Sequence, residues 1–263
     1  MIQKSWGGVP YQPNNIYNVD SYKAIKEIPD KSIDCIYVDV PYLIGDNKKR
    51  EYKEGASAVS NRISKMCNSL IDSNIYNGFD YSILDEFIRI SKRVNIFIWC
   101  SKAQLPYIMN FFIVANDYNY ELLVWNKTNP TPMCNNSWLP DLEYCLYFRE
   151  KGVVLNDGYE NKSKWFISGL NVADKDLFEH PTIKPLEMVK RHLKHATQPN
   201  DIVLDCFLGS GTTAVACKEL GRQYIGFEID KRFYEIAVDR LKGISVQDRK
   251  AINKGQLSLF DEI

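Results

Sequence analysis

Residues 203–213 read VLDCFLGSGTT. An apolar run ends in an acid, Asp205, and a turn carrying Gly209 and Gly211 passes into Thr212 and Thr213. That is the pattern of a buried strand feeding a helix through a glycine turn. The neighbouring sequence repeats the alternation. Strands are expected at 32–39, 94–100, 120–125, 142–148, 201–205 and 223–228, and helices at 82–92, 103–115, 184–197, 212–220 and 230–241. Ser82 and Asp85 form a candidate capping box, Pro106 suits a first helical turn, and Leu186, Val189 and Leu193 share one helical face. The expected fold is α/β, a mostly parallel sheet with helices on both faces.

Composition narrows the classes. The 263 residues are 45% apolar, which suits one large domain with a proper core. Lys+Arg and Asp+Glu balance at 33 each, so any nucleic-acid contact has to come from a local basic patch. Seven cysteines without a C-x-x-C pair point to a reduced, cytoplasmic protein with no zinc module. No signal-peptide core and no membrane-length apolar run is expected.

Three ligands compete for the glycine turn. An ATPase P-loop needs a lysine after its second glycine, and none is present. A dinucleotide site wants G-x-G-x-x-G/A and an acid some 20 residues on; Gly209, Gly211 and Ala214 fit, and Glu228 ends the next strand. S-adenosylmethionine (SAM) fits equally, and a tight turn without ligand also stays open. A second site discriminates. Asp39-Val40-Pro41-Tyr42 follows the strand at 32–38, so Asp39, Asp205 and Glu228 all fall at the carboxyl edge of one sheet. Ligands of open parallel sheets bind at that edge.

DVPY, then EHPTIKPLE at 179–187, then DCFLGSGTT, together resemble the amino-group DNA methyltransferases in their permuted, beta-type order. The resemblance runs from Asn18-Val19-Asp20 to about Leu241 and implies a SAM-dependent, Rossmann-like methyltransferase domain over 1–241. It implies transfer to the exocyclic N6 amine of a flipped adenine, with cytosine N4 as the alternative. It also implies a cytoplasmic, bacterial or phage-encoded protein working at the nucleoid, and a dimer by analogy. The family's usual motif is D-P-P-Y, and this chain has Val40 at the second position, which leaves an inactive DNA-binding relative as one alternative. A nicotinamide-dependent oxidoreductase is the other, and it gives DVPY no role.

The chemistry suits those residues. An exocyclic amine is a poor nucleophile because its lone pair is delocalised into the ring. A carboxylate at Asp39 and the Val40 carbonyl, aimed by Pro41, would accept its two N–H groups and localise the pair. Tyr42 would stack on the base, worth about 1–3 kcal/mol. Glu228 would accept ribose hydroxyls, and Gly209 and Gly211 would let backbone approach the cofactor. Asp205 and Thr212 would face its methionine end. The resemblance places Thr182, Lys184 and Pro185 at the methionine carboxylate and Asp20 near the adenine, and extends the cofactor set to Phe207, Ser210, Thr213 and Asp230.

Within 43–80, the stretch 43–66 carries six basic residues, Lys48, Lys49, Arg50, Lys53, Arg62 and Lys65, against three acids. A mobile loop gripping double-stranded DNA is expected there. Residues 126–179 are expected to recognise the target, with Asn129, Asn135, Asn136 and Trp138 at the tip. The tail at 242–263 contains Gln256, Leu257, Leu259 and Phe260, similar to the peptide by which bacterial proteins bind the sliding clamp. His192 and His195 read as surface histidines, with no metal expected.

Overall fold

The structure is a computed structural model, and it describes residues 8–43, 77–130, 138–156, 158–159, 162–170, 183–245, 248–249 and 251. Eight strands form one sheet in the order β1-β8-β7-β2-β3-β5-β4-β6. They are β1 (Asn15–Asn18), β2 (Cys35–Asp39), β3 (Asn95–Cys100), β4 (Asn119–Lys127), β5 (Leu142–Arg149), β6 (Trp165–Ser168), β7 (Ile202–Asp205) and β8 (Gln223–Glu228). From β1 through β3 all neighbours are parallel; β5 runs antiparallel between β3 and β4, and β6 returns parallel to β4.

Alternate residues of the strands feed two apolar layers. Ile36 and Val38 of β2 face helices α1 (Ser21–Ala24), α2 (Ile83–Ile90) and α3 (Leu105–Met109). Cys35 and Tyr37 face α4 (Leu186–Ala196) and α5 (Thr212–Glu219). A smaller cluster seats α6 (Lys231–Leu241) through Ala237 against Leu208 and Ala214. Burial on both faces is why β2, β3 and β7 read as continuous apolar runs rather than as alternation.

Several local expectations are corrected. Ser82 makes no side-chain cap; the Asp80 carboxylate accepts the Ser82 N–H instead (2.9 Å). The helix over 103–115 is α-helical only over Leu105–Met109 and continues as a π-helix over Asn110–Ala115. Strands β1 and β6 lie at the two sheet edges and carry no sequence signal of their own, because four residues with partly polar faces become strands only by pairing. No helix among the described residues is long and apolar enough to cross a membrane.

The basic residues Lys48, Lys49, Arg50, Lys53, Arg62 and Lys65 lie outside the described residues, as do Asn135, Asn136, Thr182 and the tail positions Gln256, Leu257, Leu259 and Phe260.

Candidate active site

Sheet order brings the three acids together. β8, β7 and β2 are adjacent and parallel, so Glu228, Asp205 and Asp39 end side by side. The chain winds outward from β2 to β3 in one direction and from β7 to β8 in the other, which makes the β7–β2 junction the switch point where such sheets bind ligands. A cavity of about 410 Å³ opens there. Asp20, Asp39, Val40, Pro41, Tyr42, Lys184, Asp205, Phe207, Gly209, Ser210, Thr212, Thr213 and Glu228 all line it.

On the β7 side, Gly209 and Gly211 both take positive φ, 55° and 84°, as a glycine turn requires. Their roles differ. Gly209 lines the cavity, and its N–H donates to Glu228 Oε2 (2.7 Å). Gly211 does not line it; a Cβ there would sit 2.9 Å from the Ala237 Cβ, so the packing of α6 demands this glycine. Glu228 Oε1 accepts the Asp230 N–H (2.8 Å), so one buried carboxylate braces both the turn and the entry to α6. Burial raises the Glu228 carboxyl. Asp230 was expected at the cofactor, but it caps α6 by accepting from Arg232 and Phe233 and does not line the cavity. Pro185 likewise stands outside it, at the N-cap of α4. Asp20 lines the cavity and caps α1 through the Tyr22 N–H (2.9 Å).

Arg240 escaped the sequence reading. It is buried, and its guanidinium donates to Thr212 Oγ1 (2.7 Å) and the Ser210 carbonyl (3.3 Å), clamping the far side of the turn. The available signal was helical spacing, since Phe233, Ala237 and Arg240 share the buried face of α6.

On the β2 side the tetrapeptide Asp39-Val40-Pro41-Tyr42 is held by backbone. Val40 N–H donates to the Trp99 carbonyl (3.2 Å), extending the β2–β3 ladder by one residue, and the side chain enters the core. Proline could make neither the donor nor the ladder bond. Val40→Pro is therefore expected to destabilise the fold by about 1 kcal/mol; chemical denaturation checks it. Gln104, fully buried, was also missed. Its Nε2 donates to the Pro41 carbonyl (2.9 Å) and its Oε1 accepts the Ser101 N–H (2.9 Å). Ser101 is the next donor along β3, so this bond turns it away from the Val40 carbonyl.

Charges alternate in sign from the cavity wall outward to Lys127. Lys184 Nζ lies 2.5 Å from Asp39 Oδ2 and 3.1 Å from Glu143 Oε2, and Lys127 Nζ lies 2.6 Å from Glu143 Oε1. Burial raises the Asp39 carboxyl, and Lys184 opposes that. Burial pushes Glu143 the same way, but Lys184 and Lys127 prevail and hold it at about 2. Asp39 Oδ1 is buried and has no hydrogen-bond partner among the described residues.

Residues 33–239 match the DNA methylase family. The chain belongs to it. The methylase is 31% identical to the type II methyltransferase M.HinfI of Haemophilus influenzae, over 88% of this chain and 69% of that one. It is 27% identical to M2.DpnII of Streptococcus pneumoniae, over 90% and 95%. Among solved structures it resembles an M1.HpyAVI–SAM complex, with TM-score 0.63 and 26% identity over 86% of this chain and 99% of that one. The cytosine-N4-specific PvuII methyltransferase shares the fold at TM-score 0.65 and 13% identity, covering 94% of each chain. Family membership removes the oxidoreductase reading of the glycine turn.

One further residue of the methylase departs from expectation. His192 is no surface histidine. It is buried, Nδ1 meets the Tyr37 hydroxyl (3.1 Å), the ring stacks on Phe97, and burial depresses its pKa to about 3. No group able to hold a metal occurs among the described residues. Trp138 is 96% exposed.

Asp205 gives the methylase a pH signature. Burial raises its carboxyl from 3.8 to about 7, against the hydrogen bonds from Thr213 and the Phe207 N–H. A raised folded-state pKa means that the folded chain holds the proton more tightly. Its contribution to stability is thus full below 3.8 and is lost as pH rises to about 7. Asp205→Asn is expected to flatten this slope, at most about 1.4 kcal/mol per pH unit, in denaturation at a series of pH values.

Proposed function

We propose that the methylase transfers a methyl group from SAM to the exocyclic N6 amine of a flipped adenine in double-stranded DNA. The observation that carries this is Asp39 Oδ1, a buried acceptor without a partner among the described residues, on a residue that lines the same cavity as Val40 and the glycine turn. The cavity suits the cofactor. Its volume of about 410 Å³ falls within the range of small-molecule sites. Gly209 leaves bare backbone on its wall, and each Glu228 oxygen keeps one lone pair after accepting a backbone N–H. The likeness to a SAM complex supports the same reading. Glu228, Asp20, Phe207 and Thr212 would hold the cofactor, which when bound supplies an electrophilic methyl on a sulfonium.

The chain's own groups prepare the amine. Asp39 Oδ1 accepts one N–H and the Val40 carbonyl the other, so the nitrogen lone pair turns out of the ring plane. Tyr42 covers a face of the base. The family resemblance, with Asp rather than Ser at the first motif position, favours adenine over cytosine. Labelled SAM incubated with unmethylated bacterial DNA, followed by nucleoside digestion and mass spectrometry, tests this. N6-methyladenine is expected. N4-methylcytosine would keep the reaction and overturn the base assignment, and SAM binding without transfer would mark an inactive relative.

DNA gripping by the basic residues of 43–66, target recognition by 126–179 and Trp138, and a dimer all belong to the same proposal. The tail adds clamp docking through Gln256, Leu257, Leu259 and Phe260. Clamp pull-down should recover the intact chain and not Phe260→Ala; equal recovery refutes docking.

A further inference from the structure

We propose that Lys184 is a positioning residue for Asp39 rather than a ligand of the cofactor's carboxylate: it pins Oδ2 so that Oδ1 alone is offered to the substrate amine. The inference rests on the methyl-transfer reading above. An ammonium has three N–H donors. Those of Lys184 have three acceptors within reach: Asp39 Oδ2 at 2.5 Å, Glu143 Oε2 at 3.1 Å and the Tyr42 hydroxyl at 3.3 Å. No donor is left for a further anion unless one of these contacts is released. The residue is buried just before α4, and Pro185 holds its backbone extended, so the ammonium has little room to swing away. It also sits near the Trp99 and Tyr42 rings, 5.5 Å and 5.4 Å from their centroids.

The need for such a lysine follows from the site. Asp39 has to be ionised to act as an acceptor, yet its Oδ1 is buried. Tyr42, Tyr37, Glu143, Cys100, Cys145 and Asp205 face it from the surrounding elements, and among the described residues Lys184 is the cation beside it. A carboxylate with both oxygens free could also turn about its last bond; with Oδ2 tied to Lys184 it cannot turn without breaking a charge-assisted bond. Glu143, anchored from behind by Lys127, keeps Lys184 from collapsing onto Asp39 alone. The four charges come from β2, the approach to α4, β5 and β4, and they alternate in sign along the chain of ion pairs.

The test uses the full chain as wild type, Lys184→Met and Lys184→Arg. SAM affinity is measured by calorimetry, and single-turnover methylation of unmethylated bacterial DNA is followed from about pH 5 to 9, bracketing the ordinary and raised carboxyl ranges. Lys184→Met is expected to keep SAM affinity within about threefold and to slow transfer about 100-fold. Its acid limb should move to higher pH, because removing the cation leaves burial unopposed at Asp39. Lys184→Arg, which retains the charge and guards against misfolding of the Met variant, should keep both SAM affinity and the position of the limb. Loss of SAM affinity in either variant with transfer unchanged at saturating SAM would make Lys184 a cofactor ligand and overturn the proposal. A slowed Lys184→Met with an unmoved limb would reduce the residue to packing and overturn it equally. A wild-type chain that binds SAM and methylates no DNA base fails the methyl-transfer reading itself, before any variant is compared.

Discussion

Asp39→Asn is expected to lower methyl transfer about 1,000-fold while leaving SAM affinity and folding nearly unchanged. The change is nearly isosteric, but its polarity is wrong for this site. An amide has one acceptor oxygen and one donor nitrogen. The Lys184 ammonium, 2.5 Å from Oδ2, claims the oxygen. The amide nitrogen then occupies the Oδ1 position and points N–H groups at the N–H of the substrate amine. The amine loses its acceptor and meets a donor in its place. Asp39→Ala removes the acceptor without adding that repulsion, so it should be no worse than Asn and somewhat better if the repulsion matters. Single-turnover rates for both variants, with thermal melts as the folding control, decide it. An Asn variant within tenfold of wild type would refute the acceptor role.

Glu228→Gln is expected to weaken SAM binding by at least about 100-fold, roughly 2.7 kcal/mol, and also to destabilise the apo chain. Each carboxylate oxygen accepts a backbone N–H, from Gly209 at 2.7 Å and Asp230 at 2.8 Å. Glutamine can satisfy one and must face its own NH₂ against the other. An unsatisfied buried N–H costs about 1–3 kcal/mol. In a chain of this size that lowers the melting temperature by about 5 °C. The glycine turn loosens from β8 at the same place where the cofactor ribose would have found its acceptors. Calorimetry and a melting curve on the purified chain report the two effects separately. Unchanged SAM affinity would remove Glu228 from the cofactor set, whatever the melt shows.

The sequence by itself determined the repeating strand–turn–helix units and their ends, because these follow from contacts within a few residues. The apolar runs ending at Asp39, Asp205 and Glu228, the left-handed glycine at 209, and the acids Asp20 and Asp230 placed to cap the helices that follow them are all local in this sense. Once the strands are taken as parallel, the three acids must share an edge. Only the tertiary structure decided what depends on segments far apart in the chain. Lys184 meets Asp39 across 145 positions, and Gln104 reaches Pro41 across 63. Glu143 reaches the site because β5 runs backward beside β3, a pairing that no periodicity records. Gly211 is required by the packing of Ala237, and His192 is core because α4 turns it onto Tyr37 and Phe97. Asp230 shows the converse, an acid at the right sequence offset whose carboxylate is already used by its own helix. Chain-local hydrogen bonds and periodicity are written in the order of residues; burial and the pairing of distant charges arise only when the sheet assembles.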